Sequence, residues 1–102
     1  MSRYVLSREA RADLRQISQY LEQESIKVAR RVLAEFTVAF RALARNPRKG
    51  HLRQDLTERT DLLFWPVYSY LIVYRSRGRV LRIVAVLHGK RNLERILRAC
   101  DN

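Results

Sequence analysis

The sequence predicts an α+β domain: an N-terminal antiparallel helix hairpin on a three- to four-stranded antiparallel sheet, with a short C-terminal helix. Three observations carry this. Two runs with apolar residues at helical spacing come first, and two runs rich in β-branched and aromatic residues follow. A glycine-containing turn signal separates the latter two, so they pair as neighbours. Helices followed by strands point to segregated layers, and the strand–helix alternation of a parallel sheet is absent. With 102 residues the chain is one domain, 1–102.

Arg3 to Leu6 reads as a short strand or extended lead-in, and Ser7 as a helix N-cap. Ala10, Leu14, Ile17 and Leu21 then form one helical stripe, with Glu9 placed where it favours the helix dipole. The stripe stops in polar residues 23–25. Ser25 caps a second helix with apolar positions Ala29, Val32, Leu33, Phe36, Ala39, Phe40 and Leu43, and Asn46-Pro47 ends it. Residues 48–59 are a polar connector with Leu52 and Leu56 as anchors. Asp61 to Trp65 reads as a short strand closed by Pro66, which either breaks the ladder there or begins the next strand, and Val67–Arg75 and Val80–His88 read as two further strands. After Gly89, Leu93, Ile96, Leu97 and Cys100 share a face of a terminal helix over 90–100.

A turn at Arg77-Gly78 sets an expected register. Tyr74 then opposes Leu81, Ile72 opposes Ile83, Tyr70 opposes Ala85, and Tyr68 opposes Leu87, an apolar face for the helices. The other face carries Ser69, Leu71, Val73, Arg75, Val80, Arg82, Val84, Val86 and His88. Half apolar and half cationic, it is expected to stay open as a binding surface.

Charge gives the first functional hint. There are 21 Lys and Arg against 10 Asp and Glu, a formal net charge of +11. The folded surface must be strongly positive, because unpaired Arg is not tolerated inside. Such a surface draws nucleic acid, anionic membrane or an acidic protein. Lys27, Lys49 and Lys90 apart, the cations are arginines, which suit bidentate recognition of carboxylate and phosphate. At 47% hydrophobic residues the chain is not a disordered basic tail. The single Cys100 excludes an internal disulfide and a cysteine-based zinc site. The N-terminus lacks the apolar stretch of a signal peptide, and the run from Val67 to Tyr74 is too short to span a bilayer. A reducing cytoplasm without membrane attachment is the expectation.

No catalytic signature stands out: there is no phosphate loop, no His-Glu metal pair and no nucleophile elbow. Metal-independent RNA cleavage needs only a base, an acid and cations about the phosphate. Arg75, Arg82, His88, Lys90 and Arg91 are candidates for those roles at one end of the sheet, and Lys49 with His51 are a second set. Against this, a strand-end histidine such as His88 often only meets a carbonyl or water. Phe64-Trp65-Pro66 reads either as a core plug or as an exposed edge for a partner. Tyr68, Tyr70 and Tyr74 read as core residues, the alternative being base stacking. The helix arginines read as a solvated face. A plain nucleic-acid-binding module is a further class these features allow.

An ordered set of residues resembles a known family. It comprises Ala12-Asp13-Leu14 with Ile17 and Tyr20, then Phe40, Leu43, Asn46-Pro47 and Gly50. Arg53 and Asp55-Leu56 follow, then Phe64-Trp65-Pro66-Val67, Tyr70 through Arg75, Val86-Leu87-His88-Gly89 and Arg91. Together they resemble the ParE branch of the RelE/ParE toxins of type II toxin–antitoxin modules, across nearly the whole chain. The resemblance implies inhibition of DNA gyrase and growth arrest, with no catalytic residues, no cofactor and no metal. The RelE-like branch is instead a ribosome-dependent mRNA endoribonuclease using basic residues and usually a late tyrosine. Residues 89–97 contain no tyrosine; on the nuclease alternative Arg82, His88 and Arg91 would be catalytic. The resemblance further implies a cognate antitoxin, of the ribbon-helix-helix, ParD-like kind with an acidic tail, in a hetero-oligomer that reaches operator DNA only through the antitoxin. Arg53, Phe64, Trp65, Arg75, Arg82, His88, Lys90 and Arg91 are the expected antitoxin- or target-binding residues.

Overall fold

The computed structural model describes residues 3–88. Strand β1 (Arg3–Leu6) leads into helix α1 (Arg8–Glu22), and helix α2 (Ile26–Arg45) follows after three residues. A single 3-10 turn (Pro47–Lys49) opens the connector to strands β2 (Leu63–Val67), β3 (Tyr70–Arg77) and β4 (Val80–His88). The helix starts are those the caps predict. The Ser7 hydroxyl oxygen accepts the Ala10 N–H at 3.0 Å, and the Ser25 hydroxyl accepts the Val28 N–H at 3.1 Å. The expected terminal helix over 90–100 lies outside the described residues.

The four strands run in the order β1-β4-β3-β2, and the sheet is mixed, not antiparallel throughout. β1 pairs in parallel with β4, Tyr4 beside Leu81 and Leu6 beside Ile83. A four-residue lead-in carries too little periodicity to announce its partner, so this pairing was not expected. Ser7 shows what fixes it: its N–H donates to the Ile83 carbonyl at 3.0 Å, and its hydroxyl donates to the Val84 carbonyl at 2.6 Å. The N-cap of α1 is thus also the junction between helix and sheet.

Pro66 does not close β2 but lies within it. β2 is an edge strand, and the outward-facing N–H and C=O of Phe64 both bond to His51 at 2.8 Å. Pro66, two residues on, has the same outward direction, so its missing N–H interrupts no ladder bond. The connection to β3 is a two-residue turn, Tyr68-Ser69, between paired Val67 and Tyr70. Tyr68 is therefore a turn residue, 62% exposed, and not a strand residue of the core.

The β3–β4 turn is Gly78-Arg79, with Arg77 opposite Val80 and Gly78 at φ 61°. A glycine relaxed at positive φ is best placed at the first turn position, which shifts the register from the expected one. Tyr74 consequently faces Ile83, not Leu81. A β-bulge then adds Val84, so that Val73 faces Ala85, Ile72 faces Val86, and Tyr70 faces His88. The bulge is held from outside the sheet, by Ser7 on the Val84 carbonyl and by the Asp13 carboxylate, which accepts the Val86 N–H at 3.0 Å.

The bulge re-sorts the faces. Tyr70, Ile72, Tyr74, Leu81, Ile83 and Val86 pack under the helices against Ala10, Val32, Phe36, Phe40 and Leu43. Ala85 and Leu87 turn to the opposite face instead. There, with Leu71, Val73 and Val84, they form a second buried cluster with Leu62 and Phe64, and Leu56 of the connector packs on it. The face expected to be open is thus largely a second core. Leu56 is an anchor as expected, but Leu52 is 45% exposed.

Candidate protein-docking surface

One buried tyrosine positions the most organised surface cluster. After Asn46 ends α2, the Tyr74 hydroxyl donates to the Pro47 carbonyl at 2.7 Å and accepts the Gly50 N–H at 2.8 Å. Burial raises the Tyr74 pKa above its ordinary value of 10.0, only partly countered by the Gly50 hydrogen bond. With the turn fixed, Lys49 and His51 reach Trp65 of β2. The Lys49 ammonium sits 4.9 Å from the indole centroid, a cation–π contact. The His51 ring stacks on Trp65 at 5.8 Å and 20°. Lys49 and His51, a second catalytic candidate in the sequence, are thus both engaged with an aromatic ring.

Farther along the connector, Arg53 forms a two-pronged pair with Asp55 at 2.8 and 2.9 Å, and Arg59 does the same with Asp61. Arg59 holds the Asp61 carboxyl below its ordinary range, chiefly through these hydrogen bonds and against a smaller desolvation effect. Half-exposed pairs of this kind contribute little to stability, but they fix the guanidinium planes.

On the sheet, Arg75 and Arg82 are direct cross-strand neighbours. Like charges placed opposite one another repel. Arg75 Nε is also buried without a hydrogen-bond partner among the described residues, while Arg82 is exposed. Two guanidiniums side by side, that of Arg82 on the surface, suit an incoming carboxylate.

His88 is elsewhere. It lies six residues beyond Arg82 on β4, about 20 Å away at roughly 3.3 Å per residue, opposite Tyr70. Its ring meets that of Tyr70 at 5.1 Å, and together with Gln16, Ile17 and Tyr20 of α1 they line a groove of about 330 Å³. Arg82 and His88 therefore do not converge at one end of the sheet. Lys90 and Arg91 lie outside the described residues. Of the remaining expected contact residues, Trp65 is half-buried and available, whereas Phe64 is a core residue at 1% exposure. Tyr70 and Tyr74 are likewise buried, as the core reading expects. Among the described residues no group of three or more His, Cys, Asp or Glu side chains is placed to hold a metal ion. No described helix is long and apolar enough to cross a membrane.

Among the described residues this arrangement offers cations and aromatic rings for a partner, and brings no acid–base pair about a common point. The family model described as the ParE toxin of the type II toxin–antitoxin system, parDE, matches residues 4–93. The chain belongs to the ParE toxin family. It is 32% identical over 94 residues to the toxin ParE3 of Caulobacter vibrioides, covering 91% of this chain and 92% of that one. Among solved structures, the chromosomal ParDE toxin–antitoxin system from P. aeruginosa has the same fold. Its TM-score is 0.71 at 17% identity, covering 87% of this chain and 97% of the matched one. Asp13, which the family resemblance drew on, is explained by the fold: its carboxylate fastens α1 to the bulge of β4. Sequence reasoning did not find Tyr68 as a turn residue, because Tyr68-Ser69 lacks the glycine or asparagine that signals a tight turn.

Proposed function

We propose that this ParE-family toxin arrests growth by binding and inhibiting DNA gyrase, without an active site of its own, and is held inactive by a cognate antitoxin. The separation of Arg82 from His88 carries this reading. Metal-independent RNA cleavage needs its acid, base and phosphate-binding cations within a few ångströms of one phosphate. The length of β4 between these two side chains separates two of the three residues that a RelE-type nuclease would use. Recognition needs no such convergence.

The antitoxin is of the ribbon-helix-helix, ParD-like kind with an acidic tail that folds on binding. The side-by-side guanidiniums of Arg75 and Arg82 support a carboxylate of that tail as their counter-charge, and Arg53 and Trp65 extend the contact. Such ion pairs contribute mainly to rate and register. The complex forms in the cytoplasm and reaches operator DNA through the antitoxin.

The test is a supercoiling reaction with purified gyrase, toxin and ATP, with and without antitoxin. Inhibition that the antitoxin reverses is the expected result. Unimpeded supercoiling at a large excess of folded toxin, together with codon-specific cleavage of mRNA on programmed ribosomes, overturns it in favour of the nuclease.

A further inference from the structure

The solvent-facing side of the helix hairpin has no role in the reading above. On α1, Arg8, Arg11 and Arg15 are all exposed. At 3.6 residues per turn they fall within an arc of about 60°, opposite Ala10 and Ile17, which pack on the sheet. On α2, Arg41 and Arg45 are exposed in the same way, opposite Phe36 and Leu43. Both helices cover one face of the sheet, so the two rows look out in the same direction. The hairpin also sets them level. Counted from the three-residue link at about 1.5 Å per residue, Arg8 and Arg41 each lie roughly 21–22 Å along their helices.

Among the described residues no exposed carboxylate stands within either row. Glu9 is half-buried, Asp13 is buried against the β4 bulge, and residues 36–54 contain neither Asp nor Glu. The arrangement costs stability. Arg11–Arg15 and Arg41–Arg45 are like-charge pairs four residues apart, and Arg8 and Arg11 stand in the first turn of α1, where the helix dipole disfavours cations. Packing does not call for these arginines, since all five are in water. A repulsion that the fold does not need is relieved by an incoming anion.

The spacing of the rows says which anion fits. Helices packed against each other stand about 8–10 Å apart, between the widths of the minor and major grooves of duplex DNA, about 6 and 12 Å. Two rows of long guanidinium side chains at that spacing reach the phosphates on both sides of one groove. An acidic protein would need apolar or aromatic anchors as well. The exposed large apolar side chains Tyr20, Ile26, Val28, Val38, Leu52 and Tyr68 all lie outside the two rows. Phosphate contacts need only donors, and they carry no sequence information.

We propose that this face of the hairpin, carrying Arg8, Arg11, Arg15, Arg41 and Arg45, binds the phosphate backbone of duplex DNA without regard to sequence. Recognition of an operator stays with the antitoxin. The inference rests on the gyrase reading for its context. The duplex it meets is the segment that gyrase holds, so the toxin engages enzyme and DNA together.

The test is the anisotropy of a fluorescein-labelled DNA duplex of arbitrary sequence, titrated with the purified toxin over a range of salt. At roughly −0.9 per contact, five phosphate contacts give a slope of log K against log salt of about −4.5, and three leave about −2.7. Arg11→Gln with Arg15→Gln is expected to show the shallower slope and to bind at least tenfold more weakly at about 0.1 M salt. Its melting temperature is expected to be unchanged or higher. Arg11→Lys with Arg15→Lys keeps the charge, and is expected to keep the slope. Arg59→Gln with Arg79→Gln takes the same charge from the connector and the β3–β4 turn, and is expected to keep it too. An equal loss in that control overturns the inference, because net charge alone then explains binding. So does a wild-type slope near zero, or a Gln variant that loses antitoxin affinity and not duplex affinity. Lower melting temperatures with lost duplex binding in both the Gln and the Lys variants make the arginines structural and also overturn it. Duplex binding as expected, with supercoiling by gyrase unimpeded, contradicts the gyrase reading and leaves the DNA-binding face standing.

Discussion

Tyr74 and Gly50 fit together so closely that a side chain on the glycine would collide with the phenol. A Cβ at Gly50 would stand 2.3 Å from the Tyr74 hydroxyl oxygen. The backbone of Gly50, at φ −72° and ψ 177°, is one that any residue adopts. Glycine is therefore required there for space and not for conformation. The contact matters because it aims Lys49 and His51 at Trp65.

Two substitutions test this joint in urea denaturation. Tyr74→Phe leaves the Gly50 N–H and the Pro47 carbonyl without their partner, and is expected to cost about 1–2 kcal/mol. Gly50→Ala forces the buried ring or the turn to move and is expected to cost about 1–3 kcal/mol, in the range of overpacked cores. The two effects should be less than additive, since both act on one contact. The indole emission of Trp65, the single tryptophan, should shift in both variants as Lys49 and His51 move off it.

The pH dependence of stability follows from the same residue. Burial raises the pKa of Tyr74, and that of Tyr70 also, with desolvation the leading cause in each. The folded state thus holds these protons when the unfolded chain, titrating near 10, has lost them. Their contribution is complete below pH 10 and is lost as pH rises through the folded values. Melting temperatures measured between pH 8 and 11 should fall at the alkaline end. The fall should be shallower in Tyr74→Phe.

Asp13 gives a third prediction. Its buried carboxylate accepts the Val86 N–H across the junction of α1 and the β4 bulge. Asp13→Ala is expected to lower unfolding free energy by about 2–3 kcal/mol, the range for a buried group left unpaired or a charged hydrogen bond removed. Asp13→Asn keeps an acceptor oxygen and should retain part of that. Amide exchange at Val86 should accelerate in both, most in the alanine variant.

Charge on the sheet is tested by substitution and salt. Arg75→Gln and Arg82→Gln are each expected to weaken antitoxin binding several-fold, and to flatten its dependence on ionic strength. His88→Ala should leave growth arrest intact. Its complete loss in a folded, antitoxin-binding His88→Ala protein would contradict the non-catalytic account.

The sequence showed the helices and their caps plainly, because Ser7 and Ser25 each precede an apolar stripe of helical period. Tyr70, Ile72 and Tyr74 were legible as core by alternation. The faces of β4 were not, because the bulge at Val84 reverses the alternation partway. What holds that bulge, Ser7 and Asp13, lies more than 70 residues away in sequence. The parallel pairing of β1 was hidden for the same reason. At the surface, Trp65 and the Arg75–Arg82 neighbours were visible in the sequence as separate residues. Their relation to Lys49 and His51, and the distance between Arg82 and His88, required the fold.

Recognition of gyrase, and not chemistry on RNA, is the mode of action proposed for this toxin. Its most direct test is a pulse of the toxin alone in growing cells, with gyrase-trapped DNA breaks and mRNA 5′ ends mapped in the same samples. The account predicts trapped breaks with intact transcripts. Transcripts cut at codon-specific positions, with the chromosome unbroken, would contradict it.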